Sequence, residues 1–391
     1  MTVDPELVDA GELALAADEV DGMALDERDA LVSGELDAAE PVGPLDLPPG
    51  ADPSIDWGVN AHLHPDGSPR IVERHLVVPA ELAGLRLDHF VKTQITRLSR
   101  TRIQSVIETQ LTRVTPGGGL KPSTTVAAGD HFVIRRPARP EPPCPRTFTV
   151  VATDPRFYVI DKPALLPVHA SAKFYFNTLT RVMAERFPDE PGLQICHRLD
   201  RETSGCLVVA RDRAAAISIK GAFATKDKVK KEYLAVVDGQ PPWPESRADG
   251  DGAYALLDTP LRLSQPGDPT RLPHVRMLPG PGGLTSLTRV RVERRTAARA
   301  LVRCLLLTGR QHQIRAHLAH AGFPIVGDKL YAHGDEAFIR FCDQGLVPDL
   351  ATLFVLPRHA LHAARVTFPH PEGGRLITAE APLPLDLAGL L

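Results

Sequence analysis

The sequence predicts an α+β protein of two folded units, and three observations carry that reading. Its 391 residues, 43% hydrophobic and 24% charged, exceed a typical domain of roughly 100–200 residues. Segments with strand-like alternation and segments with helical apolar spacing follow one another irregularly, which favours α+β over a regular doubly wound sheet. A stretch rich in proline and charge, ARPEPPCPR (138–146), separates two such patterned regions and serves as the linker between them.

In chain order, residues 1–69 read as an acidic, disordered tail with room for a short helix at 6–20. Stretches such as PVGPLDLPPGADPS hold too little clustered apolar surface to offset ordering entropy. Residues 1–56 carry 16 Asp and Glu against one basic residue, Arg28, a net −15. The remaining 335 residues carry 44 Lys and Arg against 32 Asp and Glu, a net +12, so the overall −3 conceals a basic body suited to a polyanionic partner.

The first unit is expected over 70–137. IVERHLVVP alternates like a strand, 85–110 has the spacing of two short helices, and GDHFVIRRP closes as a strand. Arg100, Arg102 and Gln104 lie on a helix whose Ile103, Val106 and Ile107 face inward, with Lys92, Arg97 and Lys121 nearby in sequence. Such an edge can follow a phosphate backbone, and it can equally be a solvated charged face.

The second unit is expected over 147–391. Its strands are read at FYVID (157–161), CLVVA (206–210), EYLAVV (232–237) and ALVRCLLL (300–307), its helices near 178–187, 213–224 and 311–321. No apolar run approaches the ~18 residues of a membrane span, so no membrane partner is expected. The acidic N-terminus is unlike an export signal, and five scattered cysteines without a CxxC point to the reducing cytoplasm rather than to disulfides or a cysteine zinc site.

Three segments of this unit hold the chemistry. HRLDRETSG (197–205) sets Asp200 between Arg198 and Arg201, just before a buried strand and with a glycine able to take an unusual backbone angle. By residue type alone a structural ion pair is the commoner role for an Asp flanked by arginines. KKEYLAVVDG puts Tyr233, Ala235 and Val237 on one strand face, where a tyrosine is by default a core residue. TGRQHQIRAHLAHAGFPIVGDKLY (308–331) has capping-box spacing at Thr308 and Gln311, an apolar stripe ending at a Gly322 cap, and Gln311 and Arg315 one turn apart. His312, His317 and His320 lack the spacing of a zinc pair, so no metal is expected and a metal-dependent hydrolase is disfavoured.

With FYVIDKPALLPVHA (157–170) in front and RHALHAARVTFPHP behind, these segments resemble the RluA-type RNA pseudouridine synthases over most of 147–391. RLDHFV, LSRTRIQSVI and LKPSTTVAAGDHFVI similarly resemble the alpha-L RNA-binding fold of ribosomal protein S-four, with ProGlyGlyGly (116–119) in place of the usual Asn-Gly turn. The resemblance implies a catalytic domain on a mixed, largely antiparallel sheet behind a small RNA-binding domain. It implies Asp200 as the essential aspartate, Tyr233 as the active-site tyrosine and Arg315 as the partner of Asp200. Arg198 is the side chain that fills the gap left by the extruded base. Arg201, Arg310, Gln311, Arg97, Arg100, Arg102 and Lys121 are the further expected RNA contacts.

The implied reaction breaks N1–C1′ of uridine, turns the uracil and joins C5 to C1′. Asp200 acts as nucleophile or as base on the sugar, Tyr233 stacks on the base or helps remove the C5 proton, and no cofactor is needed. The expected partner is structured RNA, ribosomal first and transfer RNA second, since VHASAKFYFNTL (168–179) looks closer to relatives acting on transfer RNA. A monomer is expected. The competing reading is a catalytically inactive RNA-binding or ribosome-assembly factor.

Overall fold

The structure is a computed structural model that describes residues 47, 51–96, 98–170, 174–225, 228–246 and 252–391. Most of the expected tail, including the helix at 6–20, and Arg97 lie outside the described residues. Residues 51–69, read from composition as tail, form turns. Trp57 is buried with its indole N–H donating to the Asp52 carbonyl at 2.8 Å, and Leu63 bridges Pro69. One large apolar side chain anchors what the average composition presents as unanchored.

The chain forms two compact units. Among the described residues the first comprises Val59–Pro142 and Ala170–Phe176, and the second Pro143–His169 and Asn177–Leu391 with residues up to Gly58. In the first, β1 (Ile71–Val77), α1 (Leu87–Gln94), α2 (Arg100–Thr109), β2 (Leu111–Arg113) and β3 (His131–Pro137) follow in order. The strands make an antiparallel sheet ordered β1-β3-β2. Ser99 caps α2, its hydroxyl accepting from the Arg102 N–H at 3.3 Å. Ile103, Val106 and Ile107 of α2 join Leu87, Phe90 and Val91 of α1 and Phe132 and Ile134 of β3 in one core.

The second unit is built on one ten-stranded sheet. It opens with β4 (Thr149–Thr153) and β5 (Phe157–Lys162), then α3 (Leu179–Arg186), β6 (Gln194–Ile195), β7 (Ser204–Ala210), α4 (Arg213–Thr225) and β8 (Lys230–Asp238). β9 (Ala255–Leu257) and the hairpin of β10 (Leu261–Leu263) and β11 (Met277–Pro279) precede β12 (Thr288–Arg295), β13 (Arg299–Leu306) and α5 (Gln313–His320). α6 (Gly334–Gln344), α7 (Pro348–Phe354), β14 (Leu361–Pro369), β15 (Leu376–Glu380) and α8 (Leu385–Ala388) complete it. The main sheet runs β4-β5-β7-β14-β8-β13-β12-β9, with β6 on β7 and β15 on β14; β10 and β11 pair separately.

Both faces of the central strands are covered. Tyr158, Ile160, Leu207 and Val209 point into one core with Tyr233, Ala235 and Val302, while Phe157, Val159, Cys206 and Val208 point into another with Ala215, Ala216 and Ile219 of α4. The described pairings are antiparallel except for β7 with β14, which are parallel at Ser204–His362 and Gly205–Ala363. The architecture is α+β on a mixed, largely antiparallel sheet. Among the described residues no helix is long and apolar enough to cross a membrane.

Candidate active site

The site lies where the sheet divides. One edge of β7 is taken by β6 near its end and by β14 near its start, and the chain between β6 and β7 must turn at that division. Gly205 makes the turn possible. Its φ is +111°, and a Cβ there would sit 2.3 Å from the Ala363 carbonyl oxygen, so only glycine lets β14 come this close. The loop before it carries Asp200, whose side chain is 28% exposed and therefore reachable by a ligand.

Arg315 meets Asp200 from α5, its Nη1–H donating to Asp200 Oδ2 at 3.0 Å. The other edge of the guanidinium is held by Asp328, with Nε to Oδ2 at 2.7 Å and Nη2 to Oδ1 at 3.0 Å. α5 does not begin as the sequence predicts. It starts at Gln313, with His312 as a left-handed N-cap at φ +49°, and Gln311 lies before the helix rather than one turn below Arg315. The Thr308–Gln311 capping box is replaced by the Gln313 side chain. Its Oε1 accepts from Thr308 Oγ1 at 2.8 Å and the Arg310 N–H at 3.0 Å, while its Nε2 donates to Leu287 O and Thr288 Oγ1. A long amide that satisfies four groups outcompetes a cap that would satisfy two. Gly322 ends the helix with φ +86°, as expected.

Burial opposes ionisation of Asp200, yet His312 and His359 when protonated in acid, and Arg315 at every pH, overcome it and hold the carboxyl well below its usual range. Burial pushes His312 down to about 4 and His359 down to about 3, so at neutral pH both are uncharged and Arg315 is the cation that keeps Asp200 charged. His312 Nε2 stands 3.9 Å from Asp200 Oδ2. Tyr233, on β8 opposite Cys304 of β13, is 7% exposed. Burial and the nearby charge of Asp200 push its phenol above its ordinary value. Tyr233 therefore stays protonated and neutral beside the carboxylate.

A second layer fixes the Asp200 loop. Lys162, at the end of β5, is fully buried and donates to the carbonyls of Pro163 (2.8 Å), Leu166 (2.9 Å) and Arg201 (3.3 Å); burial brings its ammonium down to about 7. Glu202 accepts from Lys329 Nζ at 2.8 Å and from the His359 N–H at 2.9 Å. Burial works against its charge, but Lys329, Arg201 and His359 bring it down to about 2. Thr203 Oγ1 lies 2.8 Å from His359 Nε2, and the Thr203 N–H donates to the Asp200 carbonyl at 3.0 Å. The loop is thus tied to β5, to the turn after α5 and to the segment before β14.

Asp200 and Arg315 pair, as the sequence reading expects, and Tyr233 lies near enough to feel the charge of Asp200. Arg198 is exposed on the same loop and lies near enough to disfavour protonation of His312. Arg201 pairs with Glu202 at 3.1 Å, Arg310 donates to the Thr285 carbonyl at 3.2 Å, and Gln311 is half-buried. Arg100, Arg102 and Lys121 belong to the first unit, where Arg100 is 69% exposed and 3.7 Å from Asp88. Lys162, Glu202, His312, Asp328, Lys329 and His359 are absent from the expected site. GDKLY shows an acid and a base side by side, but nothing local says that Asp328 reaches back to α5. Among the described residues no three His, Cys, Asp or Glu side chains are grouped to hold a metal. Cys196 and Cys206 are buried thiols whose burial pushes each up to about 12, in keeping with structural residues.

Comparison with known proteins places this geometry. The family model described as RNA pseudouridylate synthase matches residues 156–320, a span that includes Asp200, Tyr233 and Arg315. The chain is 33% identical over 324 residues to the ribosomal large subunit pseudouridine synthase D of Xanthomonas campestris pv. campestris, covering 81% of this chain and 91% of that protein. It is 32% identical over 326 residues to the ribosomal large subunit pseudouridine synthase C of Escherichia coli (strain K12), covering 79% and 92%. Among solved structures, Human RNA Pseudouridylate Synthase Domain Containing 4 is 26% identical with a TM-score of 0.46, over 62% of this chain and 92% of that one. These matches are to RNA-modifying isomerases. The chain belongs to the RNA pseudouridylate synthase family, the RluA type, and converts uridine to pseudouridine in RNA.

Proposed function

We propose that the chain isomerises uridines of ribosomal RNA, with Asp200 as the catalytic carboxylate, Arg315 as its ionic partner and Tyr233 as the aromatic face for the target base. The observation that carries the assignment is the 3.0 Å ion pair between Asp200 and Arg315, 115 residues apart. The names of the relatives, matched over most of their length, favour ribosomal RNA as substrate.

The electrostatics suit the chemistry. Asp200 is ionised at neutral pH, the form needed both to attack C1′ and to take a proton from the sugar. The N1–C1′ bond breaks, the uracil turns, C5–C1′ forms, C5 loses a proton and N1 gains one. Substrate and product have the same composition, so no co-reactant is consumed. Tyr233, held neutral, stacks on the base; as a protonated phenol it is a poor acceptor for the C5 proton. Extruding the base costs a few kcal/mol. Arg198 filling the vacancy, with Arg201, Arg310 and Gln311 on the RNA, offsets that cost. The first unit supplies an S-four-like RNA grip through Arg97, Arg100, Arg102 and Lys121. The enzyme works as a cytoplasmic monomer.

Asp200→Asn tests the assignment. Turnover, read as tritium released from C5-labelled uridine RNA, is expected to vanish while RNA affinity stays within about tenfold, roughly 1.4 kcal/mol. Turnover near wild type overturns the role of Asp200. Mapping pseudouridines by carbodiimide labelling in cells lacking the protein tests the substrate, and loss of sites in transfer RNA alone overturns the ribosomal reading.

A further inference from the structure

Asp328 holds more of the site than any residue that touches the substrate in the reading above. Its side chain is fully buried, and its two oxygens take four hydrogen bonds: Arg315 Nε at 2.7 Å, Arg315 Nη2 at 3.0 Å, and the Leu330 and Tyr331 N–H groups at 3.0 Å each. The two backbone donors close the turn after Gly327, whose φ is +77° and whose Cβ, if present, would sit 2.2 Å from the Arg358 carbonyl oxygen. Asp328 is therefore fixed from behind before it meets Arg315. The same turn puts the Tyr331 ring 5.1 Å from the Arg315 guanidinium carbon. The Tyr331 hydroxyl accepts the Met277 N–H at 2.9 Å and lies 3.2 Å from His312 Nδ1.

This geometry divides Arg315 unequally. The Nε/Nη2 edge of the guanidinium is spent on Asp328, and one of the N–H groups left over, on Nη1, meets Asp200. A bidentate grip on Asp200 would also keep it ionised, but it would engage both oxygens and leave the carboxylate a weaker nucleophile or base. A single contact at Oδ2 keeps the charge and leaves Oδ1 uncommitted to Arg315. The hydroxyl of Tyr331, which receives the Met277 N–H, also touches His312 Nδ1, and the other ring nitrogen of His312, Nε2, faces Asp200.

We infer that Asp328 is a positioning residue of the reaction: by gripping the Nε/Nη2 edge of Arg315 from a fixed turn, it orients that arginine so that Nη1 meets one oxygen of Asp200 and holds the carboxylate in its reactive placement. The inference rests on the reading of Asp200 as the catalytic carboxylate and goes beyond it by assigning the group that sets how Arg315 is presented.

The experiment compares full-length wild type with Asp328→Asn and Asp328→Ser, with Asp200→Asn alongside. Each is measured for single-turnover rate, RNA affinity, thermal melting and the Nε–H NMR signal of Arg315 in 15N-arginine protein, assigned by its loss in Arg315→Lys. Misplacing a reacting group by an ångström costs on the order of a hundredfold in rate, so a fall of about that size is expected in both Asp328 variants. RNA affinity should be kept within about threefold, about 0.7 kcal/mol, and the Arg315 signal should move. A wild-type rate, a fall matched by lost RNA affinity, or a fall with the Arg315 signal unmoved each overturns the inference. Should neither variant fold, the wild-type signal decides. Slow exchange with water supports the clamp, and exchange as fast as an exposed arginine overturns it. An active Asp200→Asn instead overturns the underlying assignment, whereas an inactive one with active Asp328 variants refutes this inference alone.

Discussion

Replacing Arg315 by methionine removes the one strong cation beside two carboxylates, and the consequence can be worked from the structure. Arg315 stands 3.0 Å from Asp200 and 2.7 Å from Asp328, and its side chain is 10% exposed, so little solvent screens either pair. An arginine at such a distance lowers a carboxyl pKa by about 1 to 3, which at about 1.36 kcal/mol per unit is roughly 1.4 to 4 kcal/mol for each. Without it, burial, which already opposes both charges, is left to dominate. Removing one partner of a buried pair costs about 3–5 kcal/mol, a large part of a total stability of about 5–15 kcal/mol. Two adjustments soften the loss. Burial and then Arg315 keep His312 uncharged, and burial and then Arg315 do the same for His359, so both rise in the variant and bind a proton more readily.

The sign for activity follows. In wild type the folded-state pKa of Asp200 is depressed, so the carboxylate is fully charged across the neutral range and no acid limb from it appears between pH 5 and 8. In Arg315→Met the pKa rises, and the rate should climb with pH inside that window as Asp200 loses its proton. Single-turnover tritium release from pH 5 to 9, on protein shown folded by thermal melting at each pH, is the assay. A variant with the wild-type rate and a flat profile refutes the pairing. So does a variant with unchanged stability, because a buried arginine paired with two carboxylates cannot be removed without cost.

Three further outcomes are expected. Gly205→Ala places a methyl against the Ala363 carbonyl at a φ of +111°, so chemical denaturation should show a loss of about 3 kcal/mol or more, and a loss below about 1 would mean that β7 and β14 separate easily. Glu202, depressed from 4.5 to about 2, stabilises the fold above its unfolded pKa and loses that contribution as pH falls through the folded one. Glu202→Gln should remove roughly 3 kcal/mol at neutral pH and flatten the acid side of the stability curve, and an unchanged acid slope would refute the Lys329 pairing as its source. Reversing Arg100, Arg102 and Lys121 to glutamate should lower the log–log salt slope of RNA binding by about 2 on single strands, at about 0.7 per phosphate contact, and filter binding with an unaltered slope removes the first unit from the RNA grip.

The parts of this molecule that could be read from the sequence are those set by near neighbours. FYVID, CLVVA and EYLAVV alternate or run apolar because their strands are covered on one or both faces, and these strands appear at Phe157–Lys162, Ser204–Ala210 and Lys230–Asp238. Asp200, Tyr233 and Arg315 stood out through their segments. What could not be read is partnership across distance. Alternation tells which way a side chain faces, not that β7 runs parallel to β14 across more than 150 residues. The spacing of Thr308 and Gln311 fitted a cap, but Gln313 won because Leu287 and Thr288, at the start of a distant strand, also needed a partner. Trp57 sat unnoticed in an acidic stretch, since one buried ring barely moves an average over tens of residues.

The distant partnerships also decide the charge of the site, which no single motif contains. An RNA substrate brings phosphates, so a pocket that must keep one carboxylate ionised cannot also leave the surrounding acids uncompensated. Glu202 is cancelled by Lys329 at 2.8 Å, and Asp328 by the bidentate edge of Arg315. Lys162, held by three carbonyls and brought by burial to about 7, adds a fraction of a positive charge beneath the loop, which partly offsets Asp200. Of these three carboxylates Asp200 alone is more than a quarter exposed. The supporting acids and bases therefore have partners of their own, and on the reading proposed above they leave Asp200 as the acid of the site that a substrate can reach.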